Sequence, residues 1–130
     1  MQAKRPKHLD LIRIRLPIPG MVSIFHRVSG ALMFFAIPFA LAALQGTLSE
    51  AECFARFQAI LHWPLVKLAL IALLWAYLHH ACAGVRFLLI DLDIGVNLRS
   101  ARASAWAVFA VSLSITAGVV AYLAVRGGLW

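Results

Sequence analysis

Three long apolar runs, separated by shorter polar segments, dominate the pattern of this 130-residue chain. The runs occupy residues 21–44, 65–90 and 106–125, and each reaches the roughly 20 residues that a helix needs to cross a bilayer core of about 30 Å. Backbone polar groups inside a bilayer are satisfied only in helices or closed barrels. The pattern therefore predicts an all-α membrane protein with three transmembrane helices, forming one membrane anchor over residues 21–130.

Composition and charge give this anchor an orientation. The chain is 63% hydrophobic and 13% charged, which leaves too little polar surface for a soluble globule. Its net charge of +7 lies largely in segments that flank the apolar runs, so lipid and not nucleic acid is the expected partner. Residues 1–20 form a basic arm without the features of a signal peptide. The positive-inside rule predicts a cytoplasmic N-terminal arm and, after three spans, a periplasmic C-terminus.

The second run carries two adjacent histidines, His79 and His80, in its middle. Helical spacing places His80 and Gly84 on one stripe, whereas His79 points about 100° away. A histidine one turn from a glycine can ligate a flat metallocofactor, because the missing side chain lets a ring lie close to the backbone. From the residues alone three interpretations stay open: a haem ligand, a proton relay, or a packed hydrogen-bonding group.

The first run begins with a polar face made by Ser23, His26, Arg27 and Gly30. One interpretation is the mouth of a polar pocket, with a donor for a carbonyl and a cation for an anionic group. The other is an arginine that reaches lipid phosphates. Because His26 is next to Arg27, which is expected just inside the cytoplasmic boundary, His26 is expected nearer the cytoplasmic edge of the membrane than His80. A second axial ligand of a low-spin haem is then expected from another chain.

Two further features concern packing. Residues 45–63 have no positive excess and are expected to include a short amphipathic helix at the far membrane surface. The third run repeats Ala110, Ser114, Gly118 and Tyr122 every four residues. Small residues at that spacing let helices approach closely in lipid, so this stripe is predicted to be a packing face.

The segments RPKHLDL, SIFHRVSG and HACAGVRFLLID occur in this order. Together they resemble the cytochrome b large membrane-anchor subunit of succinate dehydrogenase (succinate:quinone oxidoreductase, respiratory complex II). The resemblance covers the arm and the first two spans. It implies a bacterial inner-membrane complex in which a flavoprotein subunit oxidises succinate and an iron–sulfur subunit relays electrons. Two anchor subunits then hold one haem b between them and reduce ubiquinone. This chain by itself would not oxidise succinate, so it is expected to carry no catalytic residue.

The resemblance assigns roles around the second span. In the motif H-x-x-x-G-x-R, His80 corresponds to the haem iron ligand, and Gly84 and Arg86 complete the cofactor-binding motif. The second anchor subunit is implied to supply the opposite histidine. This sequence has Phe87 where the family commonly has a histidine, which implies that a polar contact near the haem is missing or replaced.

The resemblance also assigns roles around the first span. Ser23 and Arg27 correspond to residues that line the quinone pocket, and His26 and Arg27 to residues near the haem propionates. Two other functions stay open at this point. One is the anchor of a quinol:fumarate reductase, the same architecture run in reverse. The other is a non-enzymatic membrane helper in which His79 and His80 relay protons.

Overall fold

A computed structural model describes residues 16–127, which form four helices. These are α1 (Ile18–Ser49), α2 (Ala51–Leu61), α3 (Pro64–Asp91) and α4 (Leu98–Val125). Helices α1, α3 and α4 are long and apolar enough to cross a membrane, so the prediction of an all-α protein with three such helices is confirmed. Most of the N-terminal arm, including the segment RPKHLDL, lies outside the described residues.

The long helices extend past the apolar runs. They contain 32, 28 and 28 residues, which corresponds to about 42–48 Å at 1.5 Å per residue and exceeds a core of about 30 Å. The largest difference from the predicted spans is at α4, which begins at Leu98 and not near residue 106. Asn97 explains it, because its side-chain oxygen accepts a hydrogen bond from the Ser100 backbone N–H at 2.9 Å.

The short segment between α1 and α3 contains the expected surface helix, as α2. An ion pair between Glu52 and Arg56 lies on its polar side, while Phe54 and Ile60 are exposed. Because α2 has large apolar side chains available outside the bundle, it suits a position at the membrane surface.

Helix α3 packs between α1 and α4, and the buried hydrophobic cluster is built from small side chains. Val22, Ala83, Ala105 and Val108 form the buried cluster where the three helices meet. Much of the remaining surface is apolar, including Phe39, which is 76% exposed. Such surface in an isolated chain indicates contact with lipid or with other subunits.

The predicted packing face of α4 is wrong for contacts within this chain. Ala110, Ser114 and Gly118 point outward, and a Cβ added at Gly118 would meet nothing within 4 Å. Both faces of α4 carry small residues at four-residue spacing, so the periodicity alone did not distinguish them. The residues that α4 buries are Ala105, Val108, Ser112 and Thr116.

Candidate functional site

Two histidines from different helices meet face to face. The rings of His26 on α1 and His80 on α3 lie 4.1 Å apart between centroids, with 14° between their planes. The expectation that His26 sits at a different depth from His80 is therefore wrong. His26 is eight residues from the start of α1 and His80 eleven from the end of the returning α3. The difference is only about 4.5 Å of helix, which small offsets between the helices absorb.

A hydrogen-bonded triangle holds the His80 ring. Its Nδ1 lies 3.0 Å from the backbone carbonyl of His26 and 3.2 Å from the hydroxyl of Ser29. Ser29 is buried, and its hydroxyl donates to the same carbonyl at 2.9 Å. Because a carbonyl only accepts, Nδ1 carries the proton. The Nε2 lone pair of His80 makes no hydrogen bond within the part of the chain that the structure describes.

Each histidine of this pair lies against a glycine of the opposite helix. A Cβ added at Gly30 would lie 3.0 Å from His80 Cε1, whereas one added at Gly84 would lie 3.7 Å from His26 Nε2. The close approach therefore depends on Gly30, and the ring beside Gly84 belongs to His26. The role predicted for Gly84, to let a haem ring lie close to the backbone, is a different one and stays a prediction. The missed signal for Gly30 is that both histidines are followed by glycine four residues later.

His79 has a different environment, although it is the chain neighbour of His80. It is fully buried and contacts the rings of Phe25, Trp75 and Phe109, with centroid distances of 5.9, 5.3 and 5.0 Å. The backbone of Val22 lies near the ring, but neither ring nitrogen has a hydrogen bond of standard geometry among residues 16–127. The two neighbours thus face different sides of α3, as their offset of about 100° predicts.

Arg86 faces α4 and is not brought to His80. Its buried guanidinium donates to the Ser104 hydroxyl at 3.0 Å and to the Ala101 carbonyl at 3.3 Å. Arg86 follows Gly84 by two residues, which is about 200° around the helix, so its side chain points away from His26 and His80. In this structure the expected cofactor-binding arginine links α3 to α4.

Phe87 lies on the histidine side of α3. Its ring centroid is 5.1 Å from that of His26. The residue that replaces the family's histidine therefore packs against the pair and extends its apolar surroundings. Phe87 cannot supply a polar contact there.

Ser23 and Arg27 lie one turn apart on α1. Ser23 is half-buried and Arg27 exposed, and neither forms a hydrogen bond or ion pair with another described residue. Within the described part of the chain, no other polar side chain occupies their hydroxyl or guanidinium. The structure does not bring either side chain into contact with His80.

The chemistry of the pair suits a haem ligand. Metal-bound histidines usually donate their second ring N–H to a carbonyl, carboxylate or water, which fixes the tautomer. His80 has that arrangement, is half-buried, and has one nitrogen without a hydrogen bond to any described residue. Axial ligands occupy opposite faces of a haem, so two rings stacked at 4.1 Å cannot both ligate one iron. Fold and site together define a three-span membrane anchor with one candidate axial ligand.

Comparisons with known proteins agree with this class. Residues 1–119 match the family model of the succinate dehydrogenase/fumarate reductase transmembrane subunit. The chain is 39% identical over 113 residues to the succinate dehydrogenase cytochrome b556 subunit of Coxiella burnetii, covering 86% of this chain and 90% of the relative. It is 28% identical to the corresponding Rickettsia felis protein, over 87% and 88% of the two chains.

The chain belongs to the succinate dehydrogenase/fumarate reductase transmembrane-subunit family. The resemblance to a cytochrome b membrane-anchor subunit of succinate dehydrogenase is confirmed. The protein is part of an oxidoreductase complex and is a multi-pass protein of the bacterial inner membrane.

Proposed function

We propose that this chain ligates one haem b through Nε2 of His80 and contributes to the ubiquinone-reduction site of a succinate:quinone oxidoreductase. The observation that carries the proposal is the state of His80, whose Nδ1 donates to the His26 carbonyl at 3.0 Å while Nε2 has no hydrogen-bond partner among residues 16–127. The name of the relatives, cytochrome b556 subunit, supports a b-type haem. When bound, the haem supplies a one-electron carrier inside the membrane.

The haem is shared with a second membrane-anchor subunit. Only one axial ligand can come from the stacked pair, so the opposite histidine belongs to another chain. The large exposed apolar surface of α1 supports such a contact. The other partners are an iron–sulfur subunit, which delivers electrons, and a flavoprotein subunit, which oxidises succinate. The basic N-terminal arm is cytoplasmic, on the side of these two subunits. This chain alone does not oxidise succinate.

Ser23 and Arg27 act on the quinone. Reduction adds two electrons and two protons, and negative charge develops on the carbonyl oxygens. The Ser23 hydroxyl donates a hydrogen bond to one oxygen, and the Arg27 guanidinium stabilises the developing charge. Arginine stays protonated and is no proton source. Water or a partner residue therefore delivers the protons.

The two rival functions are less well supported. A proton relay through His79 and His80 requires a hydrogen-bonded path, yet His79 has no hydrogen bond of standard geometry among the described residues and faces a different side of α3 from His80. Quinol:fumarate reductase anchors share the matched family model. The relatives named succinate dehydrogenase favour succinate oxidation.

The test uses the complex purified through a tag on this chain. A reduced-minus-oxidised spectrum with succinate as reductant is expected to show a b-type band, together with a co-purifying flavoprotein. In the Arg27→Leu variant, quinone reduction is expected to fall about 10²–10³-fold, the usual effect of losing one charge-stabilising donor. Succinate oxidation by an artificial acceptor is expected to be unchanged.

Arg102→Leu is the matched control, because it removes the same charge from an exposed arginine of α4. It is expected to leave both activities near the wild-type level. Equal losses of both activities in Arg27→Leu would contradict the quinone assignment. A purified chain with neither haem nor flavoprotein would contradict the whole proposal.

A further inference from the structure

We infer that Ser29 is a positioning residue for the haem ligand: it fixes the tautomer and orientation of His80 so that Nε2 is presented to the iron. The inference rests on the proposed haem binding. Ser29 is 4% exposed and reaches His80 from the opposite helix. It lies between His26 and Gly30, the two residues that the rest of the His80 ring contacts.

Three contacts determine where the protons lie. Ser29 Oγ is 2.9 Å from the His26 carbonyl oxygen, His80 Nδ1 is 3.0 Å from the same oxygen, and Nδ1 is 3.2 Å from Oγ. The carbonyl can only accept, so it accepts from both groups. The hydroxyl proton is then used, and a hydroxyl lone pair faces Nδ1. All three contacts are favourable only when Nδ1 carries a proton shared between the two oxygens.

The alternative tautomer is penalised by the same geometry. With its proton on Nε2, His80 would direct the Nδ1 lone pair at the carbonyl oxygen 3.0 Å away. The ring lies close to the Gly30 backbone, where a Cβ would be 3.0 Å from Cε1, and the His26 ring covers one of its faces. Ser29 therefore adds the second acceptor that holds the Nδ1 proton in place.

This arrangement has a consequence for the iron. When the non-ligating ring nitrogen, here Nδ1, donates a hydrogen bond, the ligating nitrogen becomes more basic. A more basic ligand stabilises ferric over ferrous haem, so removing an acceptor is expected to raise the reduction potential. It is also expected to weaken haem retention, since loss of such partners typically costs about 10–100-fold in metal affinity.

The experiment compares Ser29→Ala with Ser112→Ala in the purified complex. Ser112 is an ideal match, because it is fully buried and donates to the carbonyl three residues earlier, Phe109, at 3.2 Å. The two readouts are the haem midpoint potential and the rate of haem loss to added apomyoglobin. We expect Ser29→Ala to raise the potential and to speed haem loss about tenfold. We expect Ser112→Ala to change neither.

Other outcomes would overturn the inference. An unchanged potential and unchanged haem loss in Ser29→Ala would show that the hydroxyl does not act through His80. Equal changes in both serine variants would assign the effect to helix packing. If Ser29→Ala does not assemble, Ser29→Thr keeps a hydroxyl at the same carbon and must restore assembly with the wild-type potential; failure of both excludes a hydroxyl role. A wild-type complex without a b-type band would instead contradict the proposed function itself.

Discussion

His79 and His80 are neighbours in the chain and opposites in their surroundings. His79 is enclosed by aromatic rings from α1, α3 and α4, and both of its nitrogens lack hydrogen bonds of standard geometry among the described residues. His80 is half-buried and has one nitrogen held by a carbonyl and a hydroxyl, and its other nitrogen forms no hydrogen bond within residues 16–127. The two neighbours therefore differ in which ring nitrogens are held, and this difference, not the residue type, singles out His80 as the proposed ligand.

The largest expected effect separates the two histidines. His80→Leu removes Nε2, the nitrogen that we propose binds the iron. We therefore expect the b-type band of the complex to disappear. His79→Leu removes a buried group without hydrogen-bond partners of standard geometry, a change that is often neutral in stability. We expect its haem spectrum to match the wild type. The measurement is the reduced-minus-oxidised spectrum, normalised to co-purified flavoprotein.

The reverse pattern would contradict the assignment of His80 as the ligand. If His79→Leu lost the band while His80→Leu kept it, the enclosed ring would have to be the ligand. The aromatic cage would then have to open in the assembled complex.

A smaller effect, on the rate of haem loss, is expected to distinguish Gly30 from Gly84. A methyl group at Gly30 would come within 3.0 Å of a His80 ring that its hydrogen bonds hold in place, whereas one at Gly84 would meet His26 in ordinary contact at 3.7 Å. Overpacking of this kind costs about 1–3 kcal/mol. We expect Gly30→Ala to speed haem loss to apomyoglobin about tenfold and Gly84→Ala to have little effect. A greater loss in Gly84→Ala would show that the haem, and not His26, needs the space beside Gly84.

The smallest effect is expected away from the histidines. Ser104→Ala removes the hydroxyl that accepts from the buried Arg86 guanidinium at 3.0 Å. Loss of one hydrogen bond to a charged group is worth about 1.5–3 kcal/mol. We expect a lower melting temperature of the complex with an unshifted haem band. Ser114→Ala, on the exposed face of α4, is the control and is expected to change neither; a shifted haem band in Ser104→Ala would place Arg86 in the haem site after all.

Hydrophobic patterning was enough to predict the three membrane helices, because apolar runs of this length have few alternatives in a bilayer. It did not predict that α4 begins several residues before the apolar run, since a capped polar turn is helical without being apolar. It also did not identify the face of α4 that packs within this chain, because small residues such as Ser112 and Ser114 lie on both faces. Hydropathy measures transfer into lipid, and it does not say which side of a helix another helix covers.

The site was predictable in part. Helical offset alone separated His79 from His80, and the motif resemblance drew attention to His80 and Gly84. Ser29 and Gly30 were missed as contacts of His80 because their roles depend on how α1 lies against α3. The depth of His26 was misjudged for the same reason. Contacts between helices need relative heights, which residue counting along one helix does not supply.

The most direct test of the central claim is a map of the assembled complex that resolves side chains around the haem. The account predicts His80 Nε2 bonded to the iron, a histidine of the second anchor subunit on the opposite face, and His80 Nδ1 still hydrogen-bonded to the His26 carbonyl. A map in which Nε2 of His80 contacts only protein side chains, or in which His26 or His79 binds the iron, would contradict it.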